Sequence, residues 1–363
     1  MNARNDRVAK TKPENTETST ADGETMSVIA LVPAHNEEEQ ISDTLDGLLA
    51  QTMPLDQILV ILDNCTDGTE EIVAGYSQRF PVVQYISSVN NPHKKAGALN
   101  QALPRCEGFT YILDTDADAI LSPHFTERAV REMDQDPRIG ALSAREGIKD
   151  YPDATLKERL VYRVVRYQRY LWDTFRMENP ADAVVMVGPG AMLRTEAIIA
   201  IDGWRNDSIT EDNALSLDLR EAGWRTVLGR TCYVWSDSPL DLRPLWQQRV
   251  RWGRGTEDYA KRGWSRATWK GKALAWYQWA LLAWVATIIP FEITYRAYFT
   301  PMWLLPLAVI YADRLWRLRF FPTFKALDLL LASPLCELAM FAAWQSAIIA
   351  GAMQRMRKIE RKW

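Results

Sequence analysis

The sequence is short of the residues from which metal cages and disulfide frameworks are built. Its 363 residues include four cysteines (Cys65, Cys106, Cys232, Cys336) and three histidines (His35, His93, His124), all dispersed. No C-x-x-C pair occurs, so neither a zinc ribbon nor a disulfide scaffold is expected, and a reducing, cytosol-facing environment fits better. Excess positive charge is missing too. With a formal net charge of -3, the chain is not expected to take nucleic acid as a partner. Residues 1–25 hold almost nothing large and apolar and predict a disordered tail. They lack a charged start followed by an apolar core, so no cleaved secretory leader is expected and the catalytic part should face the cytoplasm.

What is present, from Ser27 onward, is a succession of short apolar runs, each followed by a polar or glycine-containing loop and a helical stretch. That alternation predicts βα units. Residues 28–32 read as a buried strand ending at Pro33-Ala34-His35-Asn36-Glu37, and residues 38–50 as a helix with Ile41, Leu45, Leu48 and Leu49 on one face. Further strands are expected at 57–62, 82–86 and 111–113, with Thr66 or Asp67 capping the helix after the second. In open α/β sheets ligands bind beyond the carboxyl ends of the strands, where Asn36, Asp63 and the Asp114–Asp118 segment all fall.

Residues 155–175 mix basic with aromatic and aliphatic positions at helical spacing, as in a helix packed on the domain or lying on anionic lipid. After Lys272 the composition changes, with apolar runs at 273–289, 298–312 and 326–353, the last broken by Pro334 and Glu337. A span takes roughly 20 apolar residues. Basic residues crowd 254–272, 314–325 and 355–362, which predicts an in-out-in hairpin with the third run re-entrant or interfacial. The competing organisation is a soluble helical domain. The expected layout is therefore a tail (1–25), a catalytic domain (26–255), a basic juxtamembrane segment (256–272), two or three membrane-associated helices (273–353) and a basic tail (354–363).

Several clusters could carry chemistry. Asp116 and Asp118 follow a strand with one residue between them, so both carboxylates can reach a Mg2+ or Mn2+ held against a diphosphate, with Asp114 an ambiguous third ligand. Aspartates after strands also serve merely as turn formers. Lys95, before a helix, could contact phosphate or sugar hydroxyls. Glu211 and Asp212 are adjacent and should point differently; Asp212 is the candidate general base, unless it or Thr210 only caps the following helix. In Gln248-Arg249-Val250-Arg251-Trp252, Arg251 and Trp252 are expected to approach one pocket, the guanidinium neutralising a departing diphosphate. The bland alternative is a basic helix against phospholipid.

Taken in order, Pro33-Ala34-His35-Asn36-Glu37, Asp63, Lys95 with Ala98-Leu99-Asn100, Asp116-Ala117-Asp118, Gly188-Pro189-Gly190, Thr210-Glu211-Asp212 and Gln248–Trp252 resemble the motifs of the inverting family 2 glycosyltransferases, relatives of cellulose, chitin and hyaluronan synthases. The resemblance runs from about Ser27 to Trp252. It implies an α/β GT-A nucleotide-sugar-binding domain with a Rossmann-like mixed sheet, followed here by C-terminal membrane-associated helices. It further implies that Pro33, Asn36, Glu37, Asp63 and Lys95 serve the donor, with Asp63 on the base. Asp116 and Asp118 would hold metal and diphosphate, and Asp212, beside Glu211, would act as base. Gln248, Arg251 and Trp252 would meet acceptor and leaving group, and Gly190 would let backbone approach the acceptor channel.

The expected activity is inverting transfer from a nucleotide-sugar donor, a UDP-sugar favoured, to a lipid-linked, glycan or protein acceptor at a membrane, with lipid and a second copy of the chain as further partners. The rivals are a processive polysaccharide synthase assembled as an oligomer or with a partner chain, a polyprenyl-phosphate-sugar-dependent transferase, a nucleotidyltransferase of related architecture, and a non-catalytic membrane protein.

Overall fold

The computed structural model describes residues 26–151, 153–178, 186, 188–258 and 334–357, with isolated positions between 276 and 330. Residues 1–25 and 259–272 thus lie outside the described residues, as do most of the runs at 273–289 and 298–312 and of residues 354–363.

Eight strands form one sheet in the order β3-β2-β1-β4-β7-β6-β8-β5. Strands β1 (Val28–Ala34), β2 (Gln57–Leu62), β3 (Val83–Ser87) and β4 (Tyr111–Asp114) run parallel. They alternate with helices α1 (Ile41–Leu49), α2 (Thr69–Arg79) and α3 (Lys94–Ala102). The chain then adds β5 (Ile120–Leu121), α4 (Phe125–Asp134), β6 (Ile139–Ile148) and α5 (Leu156–Glu178). It continues through β7 (Ala191–Arg194), α6 (Thr195–Ala200), α7 (Glu211–Glu221), β8 (Arg225–Ser236) and α8 (Leu242–Asp258). Strand β7 pairs antiparallel with both β4 and β6, while β6 and β8 run parallel, so the sheet is mixed.

The first strands are continuously apolar because both faces are covered. Val28, Ala30 and Val32 of β1 join one core with Leu45, Val73 and Phe125, whereas Ile29 and Leu31 join the other with Leu99, Ile198 and Leu219. Successive side chains point to opposite faces, so two helical layers demand an unbroken apolar run.

Helix α1 begins at Ile41 rather than at residue 38. The preceding loop has other bonds to make: Glu37 N–H donates to Thr69 Oγ1 at 2.8 Å, and Glu38 Oε2 accepts from Gly68 N–H at 2.7 Å. Asp67 Oδ1 takes the N–H of Thr69, the first residue of α2, at 3.1 Å, while the N-cap position itself is Gly68. Helix α5 buries Val161, Val165 and Tyr167 but exposes Leu156, Leu160 and Trp172. The described part of the third apolar run is α9 (Pro334–Met356). Pro334, read from sequence as an interruption, lies at the described start of this helix. Among the described residues no helix is long and apolar enough to cross a membrane.

Candidate active site

Acidic side chains from two distant stretches of chain meet around one lysine at the carboxyl end of β4. Lys95, in the first turn of α3, places Nζ 2.5 Å from Asp116 Oδ1, 3.4 Å from Asp114 Oδ1 and 4.0 Å from Glu211 Oε1. It also donates to the Gly188 carbonyl at 3.2 Å. Asp114 ends β4 and Asp116 lies in the turn after it, while Glu211 and Asp212 open α7. A Cβ built on Gly188 would lie 3.4 Å from Asp116 Oδ2, 3.8 Å from Asp212 Oδ2 and 3.9 Å from Lys95 Nζ. Gly188 therefore marks the point where these groups converge, and a side chain there would fill it.

Crowded charges in a dry site shift proton affinities. Burial pushes Asp212 up to about 7, with Glu211 adding to the rise. Burial likewise lifts Asp114 to about 6 against the pull of Lys95. For Lys95 burial alone would lower the value, but Asp114, Asp116 and Glu211 together hold it well above its usual range. The lysine thus stays charged among acids. Sequence reasoning placed it on phosphate or sugar hydroxyls; the structure gives it carboxylate partners. Glu211 and Asp212, expected to diverge, both border this lysine site.

A second acidic patch adjoins the first. Asp118 is pushed up to about 6 by burial, then by Asp116 and Asp237. Glu37 is pushed up to about 7 by burial, then by Asp118, Asp116 and Asp237. Asp237, just past β8, accepts from Tyr151 Oη at 3.1 Å and lies 3.7 Å from Lys149 Nζ. Among the described residues no three His, Cys, Asp or Glu side chains form a metal cage.

The loops after β1 and β2 are laced together beside this rim. Asn36, at φ 58°, accepts the Thr66 N–H on Oδ1 at 2.7 Å. Asp63 Oδ1 accepts from Ser88 Oγ at 2.5 Å, Asn64 Nδ2 at 2.9 Å and Asn91 Nδ2 at 3.0 Å, which fixes its carboxylate. His35 Nδ1 lies 2.6 Å from the Asp63 carbonyl oxygen, and Pro33 sits within β1 opposite Ile61.

The wall between β6 and α5 is an ionic one. Arg145 reaches Asp173 at 3.2 Å, Arg176 reaches it at 3.3 Å, and Arg169 pairs with Glu146, whose other oxygen accepts from Ser236 Oγ at 2.9 Å. Burial pushes Arg169 and Arg176 down to about 10.

Two expectations are corrected. Arg251 and Trp252 do not share one pocket: Arg251 is exposed, whereas the Trp252 ring meets Trp344 of α9 at 5.7 Å. Gln248, half-buried, accepts from Arg249 at 3.3 Å. Gly190 does not open toward a channel. At φ 76° a side chain is strained, and its Cβ would crowd Leu121, Ala144 and Val234 at 3.1–3.2 Å, so the backbone turn and close strand packing favour the glycine. Sequence reasoning missed Asp237, and it quoted Gly188 and the buried Arg249 within motifs without giving either a role. Asp237 had a readable signal, since it follows β8 as Asp116 follows β4.

Over residues 26–255 the chain matches the family model described as glycosyltransferase like family 2. Poly-beta-1,6-N-acetyl-D-glucosamine synthase of Staphylococcus aureus (strain COL) is 28% identical over 226 residues, covering 62% of this chain and 53% of that protein. The synthase of the same name from Staphylococcus epidermidis is 26% identical over 266 residues, covering 71% and 62%. The chain spans about half the length of the first of these relatives. A mannosyltransferase from Pyrobaculum calidifontis, solved with GDP-Man and Mn2+, shares the fold with a TM-score of 0.58 at 21% identity, over 92% of this chain and 88% of that one. The mixed α/β sheet is thus of the GT-A-like kind.

Proposed function

The chain belongs to glycosyltransferase like family 2 and is a glycosyltransferase, and on that footing we propose that it transfers a sugar from a nucleotide-sugar donor to a hydroxyl of a lipid-linked, glycan or protein acceptor, inverting the anomeric centre. The observation that carries this reading is the approach of Asp116 and Asp212 to the same point over Gly188, beside Lys95. One acid belongs to the donor loop and the other to the start of α7, so a reacting atom at that point would lie within reach of both.

In this reading Asp63, with Pro33, Asn36 and Glu37, receives the nucleotide. Lys95 balances the buried acids and holds Asp116 in place. Asp212, with its raised proton affinity, takes the proton from the acceptor hydroxyl as that oxygen attacks the anomeric carbon. The bond from that carbon to the diphosphate oxygen breaks in the same step, and the nucleoside diphosphate leaves. Glu211 supports the charge on Lys95, and Gln248 and Trp252 belong to the acceptor side. Asp116 and Asp118, near enough that Asp116 helps raise the proton affinity of Asp118, would hold Mg2+ or Mn2+, which is commonly bound by one or two carboxylates plus substrate phosphates rather than by an all-protein cage. When bound, such an ion neutralises charge on the departing diphosphate. The apolar runs beyond residue 272, with their basic flanks, anchor the enzyme with its catalytic domain at the cytoplasmic face.

A second reading, chain extension by a polysaccharide synthase working as an oligomer or with a partner, is favoured by the names of the staphylococcal relatives. The deciding experiment is thermal unfolding of detergent-purified full-length protein with UDP, GDP, their sugars and a polyprenyl-phosphate sugar, each with and without Mn2+. A Mn2+-dependent rise in Tm with one nucleotide supports the proposal, because ligands bound only by the native state stabilise it in proportion to saturation. A rise with the polyprenyl compound alone, or none at all, overturns the nucleotide donor. Products many sugars long from the same preparation would select the second reading.

A further inference from the structure

Helix α9 lies beyond the residues matched by the family model, yet it packs on the helix carrying Gln248 to Trp252 at backbone distance. A Cβ on Gly253 would fall 2.5 Å from Ile348 Cα and 2.6 Å from its carbonyl oxygen. A Cβ on Gly351 would collide with the Val250 carbonyl oxygen and lie 2.7 Å from Arg254 N. One glycine from each helix thus faces the other's main chain, and any larger residue would force the pair apart.

Side chains lock the same crossing. Trp252 and Trp344 meet edge to face at 5.7 Å and 66°. The Arg249 guanidinium lies 4.1 Å from the Trp252 ring centre and 4.6 Å from that of Trp344, and donates to Gln168 Oε1 of α5 at 3.3 Å. Arg249 is 5% exposed, and among the described residues its partners are these two indoles and the amide oxygens of Gln168 and Gln248. A buried guanidinium stacked on aromatic faces is a directional joint, not a greasy contact. One turn beyond Trp252 the joint reaches the reaction site: a Cβ on Gly255 would meet Thr210 Cγ2 at 2.7 Å, and Thr210 directly precedes Glu211 and Asp212.

We propose that α9 is a positioning element of the active site: the Gly253–Gly351 crossing and the Trp344–Arg249–Trp252 stack hold α8, and α8, through Gly255 against Thr210, sets the placement of Glu211 and Asp212. Trp344 and Gly351 are positioning residues that need touch no substrate. The activity arm of the test rests on the transfer reaction proposed above; the structural arm does not.

The test uses the full chain with Trp344→Ala, Trp344→Phe and Gly351→Leu. Trp344→Ala and Gly351→Leu should lower kcat by about ten- to a hundredfold, the loss expected for small misplacement of a reacting group. KM for the nucleotide donor should stay within about twofold, because the donor loops are not in the joint. Trp344→Phe, which keeps a ring face for Arg249, should retain most of the activity. Amide hydrogen exchange should quicken over residues 208–216 and 242–258 in Trp344→Ala and stay unchanged over residues 28–62. Unchanged exchange over 208–216, a phenylalanine variant no better than alanine, or a KM that rises in step with the loss of kcat would each overturn the proposal. A wild-type protein that neither binds nucleotide nor transfers sugar removes the proposed reaction, and the exchange measurements then decide the joint alone.

Discussion

Asp212 is in conflict with its surroundings, and its proposed chemistry follows from that conflict. Burial and the neighbouring Glu211 push its carboxyl up to about 7, far above the usual carboxylate range near 4. The folded state therefore binds this proton more tightly than the unfolded chain does. The group's favourable contribution to stability is full below the unfolded value and is lost as pH rises toward 7. Base catalysis needs the opposite form. We expect kcat/KM to climb with pH and level off above about 7, the limb reporting the free enzyme's base. Asp212→Asn should lower transfer by about 10²- to 10⁴-fold, erase that limb and leave nucleotide affinity nearly unchanged. Loss of donor binding, or a limb that survives in the variant, would reassign the base. Asp212 could be singled out in the sequence because Thr210-Glu211-Asp212 stands beside a later arginine and tryptophan cluster. The role of Lys95 could not be read that way. Its partners come from β4, the turn after it and α7, and no local spacing records that meeting.

The same division between legible and hidden holds for whole elements. Strands β1, β2 and β4 stand out because two apolar layers require runs of Val, Ile and Leu. Strands β6 and β8 stay hidden because they carry Arg145, Glu146, Arg230 and Ser236. Inside β6 those charges are paired with Asp173 and Arg169 of α5, so tertiary pairing replaces the apolar pattern a strand would show. Strand β7 is only four residues long and returns antiparallel, outside the βα rhythm. Its entry depends on Gly190, whose φ of 76° strains any side chain and whose Cβ would crowd Leu121, Ala144 and Val234 at 3.1–3.2 Å. Gly190→Ala should destabilise the domain by about 1–3 kcal/mol through backbone strain and overlap. Urea unfolding with an unchanged m-value would show it as a lower midpoint. A midpoint equal to wild type would mean that β7 can shift, and would reopen the idea that this glycine faces the acceptor.

At the scale of the molecule, the catalytic domain is continued by a segment whose composition differs from its own. The described residues contain no helix long and apolar enough to cross a membrane, and most of the runs at 273–289 and 298–312 lies outside them. The proposed anchoring therefore rests on sequence chemistry: long apolar stretches, set between segments dense in arginine and lysine, are what the bilayer core and an anionic inner leaflet select. Those two features give two kinds of attachment, which respond differently to solvent. Basic, interfacial attachment weakens when alkaline pH neutralises lysines and strips peripheral contacts, whereas insertion of apolar helices does not. Full-length protein made in bacterial cells should therefore sediment with membranes and stay in the pellet after an alkaline carbonate wash. Release by carbonate would reduce the membrane part to interfacial contact through the basic segments and exposed residues such as Leu156 and Leu160. Recovery in the soluble fraction before any wash would overturn membrane anchoring and restore the soluble helical domain.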